Sequence, residues 1–214
     1  MKIEIGTTRP EQFTEYWPGQ YSVFSHLEFA AGIPQILFAV TTRKADGQPN
    51  IAFHSWSCFQ GSGEGGYFAI LAGLSTQNHT YHNIKRTGEF AVNFVAPAYY
   101  DAIMKTIQGN SGDEFAVAGL TQEPSKTIDV PRIAESFLTL ECKAEHTLDL
   151  AGNGKNMLVA GRVQMLACRE EYAHGIDQKY GNDGFMFNVH TPLDLMTGEG
   201  NTIGVATLQI DRTY

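Results

Sequence analysis

Leu37-Phe38-Ala39-Val40-Thr41-Thr42, Lys44-Ala45-Asp46-Gly47-Gln48-Pro49 and Asn50-Ile51-Ala52-Phe53-His54-Ser55-Trp56-Ser57-Cys58 read as two strands and the turn that joins them. Asp46-Gly47 is the strongest local cue, because a tight hairpin turn needs a positive φ that glycine adopts without a Cβ clash. The second strand ends in hydroxyls around one aromatic, Ser55-Trp56-Ser57. A glycine turn and the apolar strand Tyr67–Leu74 follow. Ser75-Thr76-Gln77-Asn78-His79-Thr80 then leads into a helix over Thr80–Thr87, stopped by Gly88. Two groups of small polar residues, each at the end of a barrel-like strand, form a candidate site for an anion and a ring.

Outward from this stretch, Phe90–Val95 reads as a strand whose apolar run is interrupted by Asn93. Pro97–Gln108 reads as a helix started by Pro97 and ended by Gly109. Asn110–Pro131 is a long irregular excursion, of the kind that is functional or interfacial in a compact domain. Ser136–Leu148 and Asn156–Cys168 form a second hairpin around Ala151-Gly152-Asn153-Gly154. Its alternation sets Leu138, Leu140, Cys142 and Ala144 on an apolar face against Phe137, Thr139, Glu141 and Lys143. A helix over Glu170–Tyr180 and a last strand over Gly204–Ile210 complete the chain. A short helix near Pro10–Trp17 and an extended lead-in precede it. The pattern is mainly β: a β-barrel with inserted helices, forming a single domain over residues 1–214.

Gly61-Ser62-Gly63-Glu64-Gly65-Gly66 matches the dinucleotide fingerprint in letters only. That motif must open a helix inside a βαβ unit, whereas Tyr67-Phe68-Ala69-Ile70-Leu71 after it is a strand, so the glycines form a hairpin loop.

Composition narrows the function classes. The chain has 43% hydrophobic and 18% charged residues, an ordinary globular balance. A formal net charge of −8 argues against nucleic acid as a partner, which requires a basic face. Met1-Lys2-Ile3-Glu4-Ile5 lacks the apolar core of a signal peptide, and no stretch approaches a membrane span. Cys58, Cys142 and Cys168 are odd in number and widely spaced, which fits reduced thiols in a cytoplasm. His79 and His82, with His54, lack a third and fourth partner at ligand spacing, so no metal is expected. For Asn78 and Thr80, helix capping and anion binding use the same exposed N–H groups, and both readings stand. Cys58 reads either as a redox thiol or as a small packing group without a resolving partner.

Phe38-Ala39-Val40-Thr41-Thr42, Asp46-Gly47-Gln48-Pro49-Asn50-Ile51-Ala52 and Ser55-Trp56 together resemble the flavin reductase-like, flavoredoxin-type family. So do Asn83-Ile84-Lys85-Arg86-Thr87-Gly88-Glu89-Phe90-Ala91-Val92-Asn93, Asp113-Glu114-Phe115, Ala118-Gly119-Leu120-Thr121 and Ile133-Ala134-Glu135-Ser136. The resemblance covers residues 34–166, with 1–33 as lead-in and 167–214 as a C-terminal helix and strand. It implies an FMN-binding split barrel, a homodimer with FMN near the subunit interface. The implied cofactor set is His54, Ser55, Trp56, Ser57, Cys58, Asn78, His79 and Thr80. The implied activity is NAD(P)H-dependent reduction of flavin or of a small acceptor, with hydride passing through flavin N5. That chemistry needs aligned rings and no side-chain acid or base, so no catalytic residue is assigned. Asn78 stands where many relatives carry a basic side chain. Two alternatives stay open: an FMN-binding electron carrier without its own substrate, and a split-barrel ligand-binding protein that has lost FMN.

Overall fold

The computed structural model describes residues 1–108, 112–175, 179–192, 194–200 and 202–211. Two short helices, α1 (Gln20–Val23) and α2 (His26–Ala31), precede β1 (Gln35–Arg43), β2 (Pro49–His54), β3 (Ser57–Gly61) and β4 (Tyr67–Ser75). Next come α3 (His79–Thr87), β5 (Glu89–Phe94), α4 (Tyr100–Met104) and α5 (Glu114–Ala118). The short strands β6 (Gln122–Glu123) and β7 (Arg132–Ile133) lead to β8 (Leu138–Leu148) and β9 (Asn156–Cys168). The described elements end with α6 (Glu170–Ala173), β10 (Met186–Thr191) and β11 (Thr202–Thr207). The chain divides into a larger unit, Ile36–Met186 with Thr207–Tyr214, and a smaller one, Met1–Gln35 with Phe187–Ala206.

In the larger unit the strands run β2-β1-β5-β8-β9-β4-β3, each neighbouring pair antiparallel. Its outermost strands, β2 and β3, are consecutive in the chain and separated only by Ser55 and Trp56. The sheet therefore has to curl until its two edges meet, which makes it a barrel with its seam at Ser55-Trp56. The expected second strand through Cys58 is corrected here. β2 stops at His54, where the chain leaves β1 to cross the seam, and Cys58 pairs with Ile70 of β4 instead.

The first hairpin forms as expected, with Val40 opposite Ala52 and Gly47 at φ +84°. Alternation along β1 buries both faces. Phe38 and Val40 join Leu71, Phe90, Val92 and Leu140 inside the barrel, while Leu37 and Ala39 pack outward with Ile103, Phe115 and Ile133. Two buried faces explain why β1 reads as a continuous apolar run. The interrupting Asn93 is a clamp. Its Oδ1 accepts the Ile133 N–H at 3.0 Å and the Thr139 hydroxyl at 3.1 Å, and its Nδ2 donates to Thr41 Oγ1 at 3.1 Å.

The β8–β9 hairpin matches the sequence reading, but the polar face of β8 is buried at Thr139 and Glu141. Glu141 is fully buried, accepting the N–H groups of Lys126 (2.9 Å) and Thr127 (2.7 Å) and the Arg132 Nε–H (2.7 Å). The excursion before β8 thus folds back over that face.

Other expectations change. Pro97–Gln108 is broken into a 3₁₀ turn, α4 and a second 3₁₀ turn, and its stop at Gly109 lies outside the described residues. The excursion contains α5, capped by Asp113 Oδ1, which accepts the Phe115 N–H at 2.9 Å; Asn110 and Ser111 lie outside the described residues. Of the helix expected over Glu170–Tyr180, only Glu170–Ala173 is α-helical, and residues 176–178 of that range lie outside the described residues. The last strand sits at Thr202–Thr207 rather than Gly204–Ile210.

In the smaller unit no helix forms over Pro10–Trp17; the helices lie later, at α1 and α2. Ser25 Oγ accepts the Leu27 N–H at 3.2 Å and Gly32 closes α2 at φ +58°. Within this unit His190 lies 2.9 Å from a Glu28 carboxylate oxygen, its ring against Phe29.

Candidate functional site

The N-terminus of α3 opens into a cleft of about 210 Å³ in the larger unit. One wall is the strand segment Asn50–Phe53 and another is Asn78, His79 and Thr80; Thr106, Ile107 and Glu114 close the third side. Asn78 is the helix cap, with Oδ1 accepting the Tyr81 N–H at 2.8 Å. The first-turn N–H groups of His79 and Thr80 have no intrahelical acceptor, so they and the helix dipole favour an anion there. Thr80 is buried, and its hydroxyl oxygen accepts from Asn50 Nδ2 at 3.3 Å, which ties α3 to β2.

The remaining candidate residues lie further along, at the barrel seam, and do not line this cleft. His54 ends β2, with Nε2 2.9 Å from the Trp56 carbonyl oxygen and its ring edge-on to Phe38. Burial pushes its imidazole down to about 4, against the opposing pull of backbone acceptors at Trp56 and Ala72. His54 is therefore neutral at pH 7 and donates from Nε2. The Trp56 carbonyl also accepts the Ala72 N–H at 2.9 Å. The Trp56 indole packs on Gly73, whose φ is +67°. Ser57 Oγ donates to the Ser55 carbonyl at 3.3 Å. Cys58 is an exposed free thiol on β3. The structure thus brings Asn78, His79 and Thr80 into one cleft and His54–Cys58 into one seam, joined by β2.

Glu114 is the cleft residue that sequence reasoning passed over. Its carboxylate is buried, accepts the Ile51 N–H and lies 3.3 Å from Lys44 Nζ, which is also buried. Burial raises its pKa, opposed by the Ile51 N–H and by Lys44. The available cue was the acid in Asp113-Glu114-Phe115 at the edge of the excursion, but nothing local connects it to Ile51. Among the described residues no three His, Cys, Asp or Glu side chains gather as a metal site, and no helix is long and apolar enough to cross a membrane.

A curled antiparallel sheet with inserted helices and a helix N-terminus opening into a cleft near its seam defines a class of decorated β-barrels. Comparison with known proteins makes the class specific: residues 30–186 match the family model for the flavin reductase like domain, and the chain belongs to that family. Its fold is the split barrel. Nitrilotriacetate monooxygenase component B from Bacillus cereus superposes with a TM-score of 0.73 at 20% identity, over 100% of both chains. A protein with a split barrel domain from Shewanella frigidimarina gives 0.66 at 18% identity, over 94% of this chain and 98% of the other. The uncharacterized protein BH2278 from Halalkalibacterium halodurans is 32% identical over 60% of this chain, which spans 63% of that relative's length.

Proposed function

We propose that the chain is an FMN-dependent oxidoreductase that takes hydride from NAD(P)H and passes it to flavin or a small acceptor, working as a cytoplasmic homodimer. The observation that carries this reading is the open N-terminus of α3 beside β2, the strand that runs into the seam. The donor set there fits a phosphomonoester: two first-turn N–H groups, the Thr80 hydroxyl and the Asn78 amide. A volume of about 210 Å³ is below the ~300–1,000 Å³ of pockets that enclose a whole drug-sized ligand, so the cleft suits the phosphate end only.

When bound, FMN would supply a ring that accepts hydride from a nicotinamide and returns it to an acceptor. His79 and Thr80 would hold its phosphate, and Ser55, Ser57 and the backbone through Trp56 and Cys58 would meet its polar chain and ring edge. The Trp56 indole, packed on Gly73, would shield one side of the ring from water. His54, neutral and hydrogen-bonded to the Trp56 carbonyl, holds the crossing in place. Steady-state NADH and NADPH oxidation, with and without added FMN, tests the activity. Flavin-dependent turnover supports an enzyme; flavin binding without turnover supports an electron carrier.

One observation favours a second reading, a split barrel that has lost FMN. The buried carboxylate of Glu114 shares the cleft wall, and no basic residue stands at position 78. A purified protein that neither carries nor takes up flavin would establish it.

A further inference from the structure

A second cleft, of about 280 Å³, lies between α3 and β8 in the larger unit and plays no part in the reading above. Its construction departs from regular strand geometry. Ala144, Glu145, His146 and Thr147 are consecutive on β8 and all contribute to its lining. In a regular strand alternate residues face opposite sides. Here the register against β9 slips between Ala144 and His146, opposite Gly161 and Ala160, and this bulge breaks the alternation along the cleft wall: Ala144 packs inward, while the Glu145 side chain turns out to Arg162.

The floor is apolar: Ile84 of α3 and Val159 of β9, both buried, with Ala144 beside them. The rim is cationic in balance. Glu145 is neutralised, because both of its oxygens are taken by Arg162, from Nε at 2.6 Å and Nη2 at 3.0 Å. Lys85 Nζ makes no hydrogen bond or ion pair, and the His146 ring and Tyr81 and Thr147 hydroxyls make no hydrogen bond, among the described residues. One free cation and three polar groups therefore converge on an apolar floor, in a chain whose net charge is −8. Such a site selects an anionic head on a compact apolar body.

We propose that this cleft binds a small aromatic carboxylate, with the carboxylate at Lys85 and the ring over Ile84 and Val159. Binding here is independent of flavin. The test is a benzoate titration of the full-length protein, followed by the methyl resonances of isotope-labelled isoleucine, with benzyl alcohol and inorganic phosphate as separate probes. Saturable shifts at Ile84 with benzoate, absent with both other probes, are expected. Lys85→Gln should weaken benzoate roughly three- to tenfold, the range for losing an exposed charge-assisted contact. Because Lys85 is exposed, that variant should fold normally, and unchanged dispersion elsewhere in the spectrum checks this. No saturable shift at Ile84, equal response to benzyl alcohol, or unchanged affinity in folded Lys85→Gln would overturn the proposal.

Discussion

The indole of Trp56 rests directly on Gly73: a Cβ placed on Gly73 would come within 2.5 Å of Trp56 Cε3, and the Gly73 backbone sits at φ +67°. The contact lies where β4 slips register against β9, between Leu71 and Leu74. Only glycine satisfies both demands, a left-handed backbone and the close approach of an aromatic face. Gly73→Ala should therefore cost roughly 2–5 kcal/mol, combining left-handed strain with overpacking. Denaturant unfolding checks it; a loss under 1 kcal/mol would mean that the indole swings away without resistance.

Trp56→Ala should reduce the rate of NAD(P)H-driven flavin reduction far more than flavin occupancy. Hydride transfer depends on near-attack alignment, and a displacement of about 1 Å can cost roughly a hundredfold. Cys58→Ser should leave that rate nearly intact, since the thiol is an exposed strand residue. Stopped-flow bleaching of the flavin band distinguishes them. The opposite pattern would point to thiol chemistry.

His54 makes stability depend on acidity. Its folded pKa of about 4 lies below the unfolded value of 6.5, so between these values the unfolded chain binds more protons. Stability contributed by the neutral ring is complete above pH 6.5 and is lost as pH falls toward 4, amounting to roughly 3 kcal/mol at most. His54→Gln, which does not titrate, should show a flatter stability profile between pH 7 and 5 in urea unfolding. Parallel profiles for the two proteins would remove His54 from the account.

Glu114 should show opposite effects on stability and on FMN affinity. Glu114→Ala strips the Ile51 N–H of its acceptor and leaves Lys44, still bonded to the Gly112 carbonyl, without its buried counter-charge, and should destabilise by about 3–5 kcal/mol. Glu114→Gln keeps an acceptor for the Ile51 N–H and removes the negative charge from the cleft wall. It should tighten FMN if the phosphate sits at α3. Calorimetric titration of the Gln variant reads this; weaker binding would place the phosphate elsewhere.

Much of the barrel was legible because its signals are local. Asp46-Gly47, the alternation from Leu138 to Ala144, and Asn78 and Gly88 at the ends of α3 each act within a few residues. The helices of the N-terminal segment lie later than Pro10–Trp17. The true signal was Ser25-His26-Leu27-Glu28, a serine cap with an acid three residues on, closed by Gly32. One wall of the candidate cleft was legible for the same local reason, at Asn78–Thr80. The opposite wall was not: Glu114 reaches Ile51 across the fold, and only the register of β2 against β1 decides which N–H faces outward for it. Ser55-Trp56 looked like part of a strand because nothing in those residues announces that β2 and β3 are opposite edges of one sheet.

Sedimentation tests the assembly. The proposed homodimer should run at about twice the 23.6 kDa chain mass at micromolar concentration, since a stable shared interface persists there. A single monomeric species would contradict it.

The central claim is that the α3 N-terminus holds the phosphate of FMN, and the direct measurement compares FMN with riboflavin by calorimetric titration in wild type and Thr80→Val. Charge-assisted hydrogen bonds contribute about 1.5–3 kcal/mol each, so wild type should prefer FMN by at least roughly tenfold. Thr80→Val should narrow that preference by weakening FMN while leaving riboflavin nearly unchanged. Equal affinities for FMN and riboflavin in wild type, or a preference that survives Thr80→Val intact, would contradict the account.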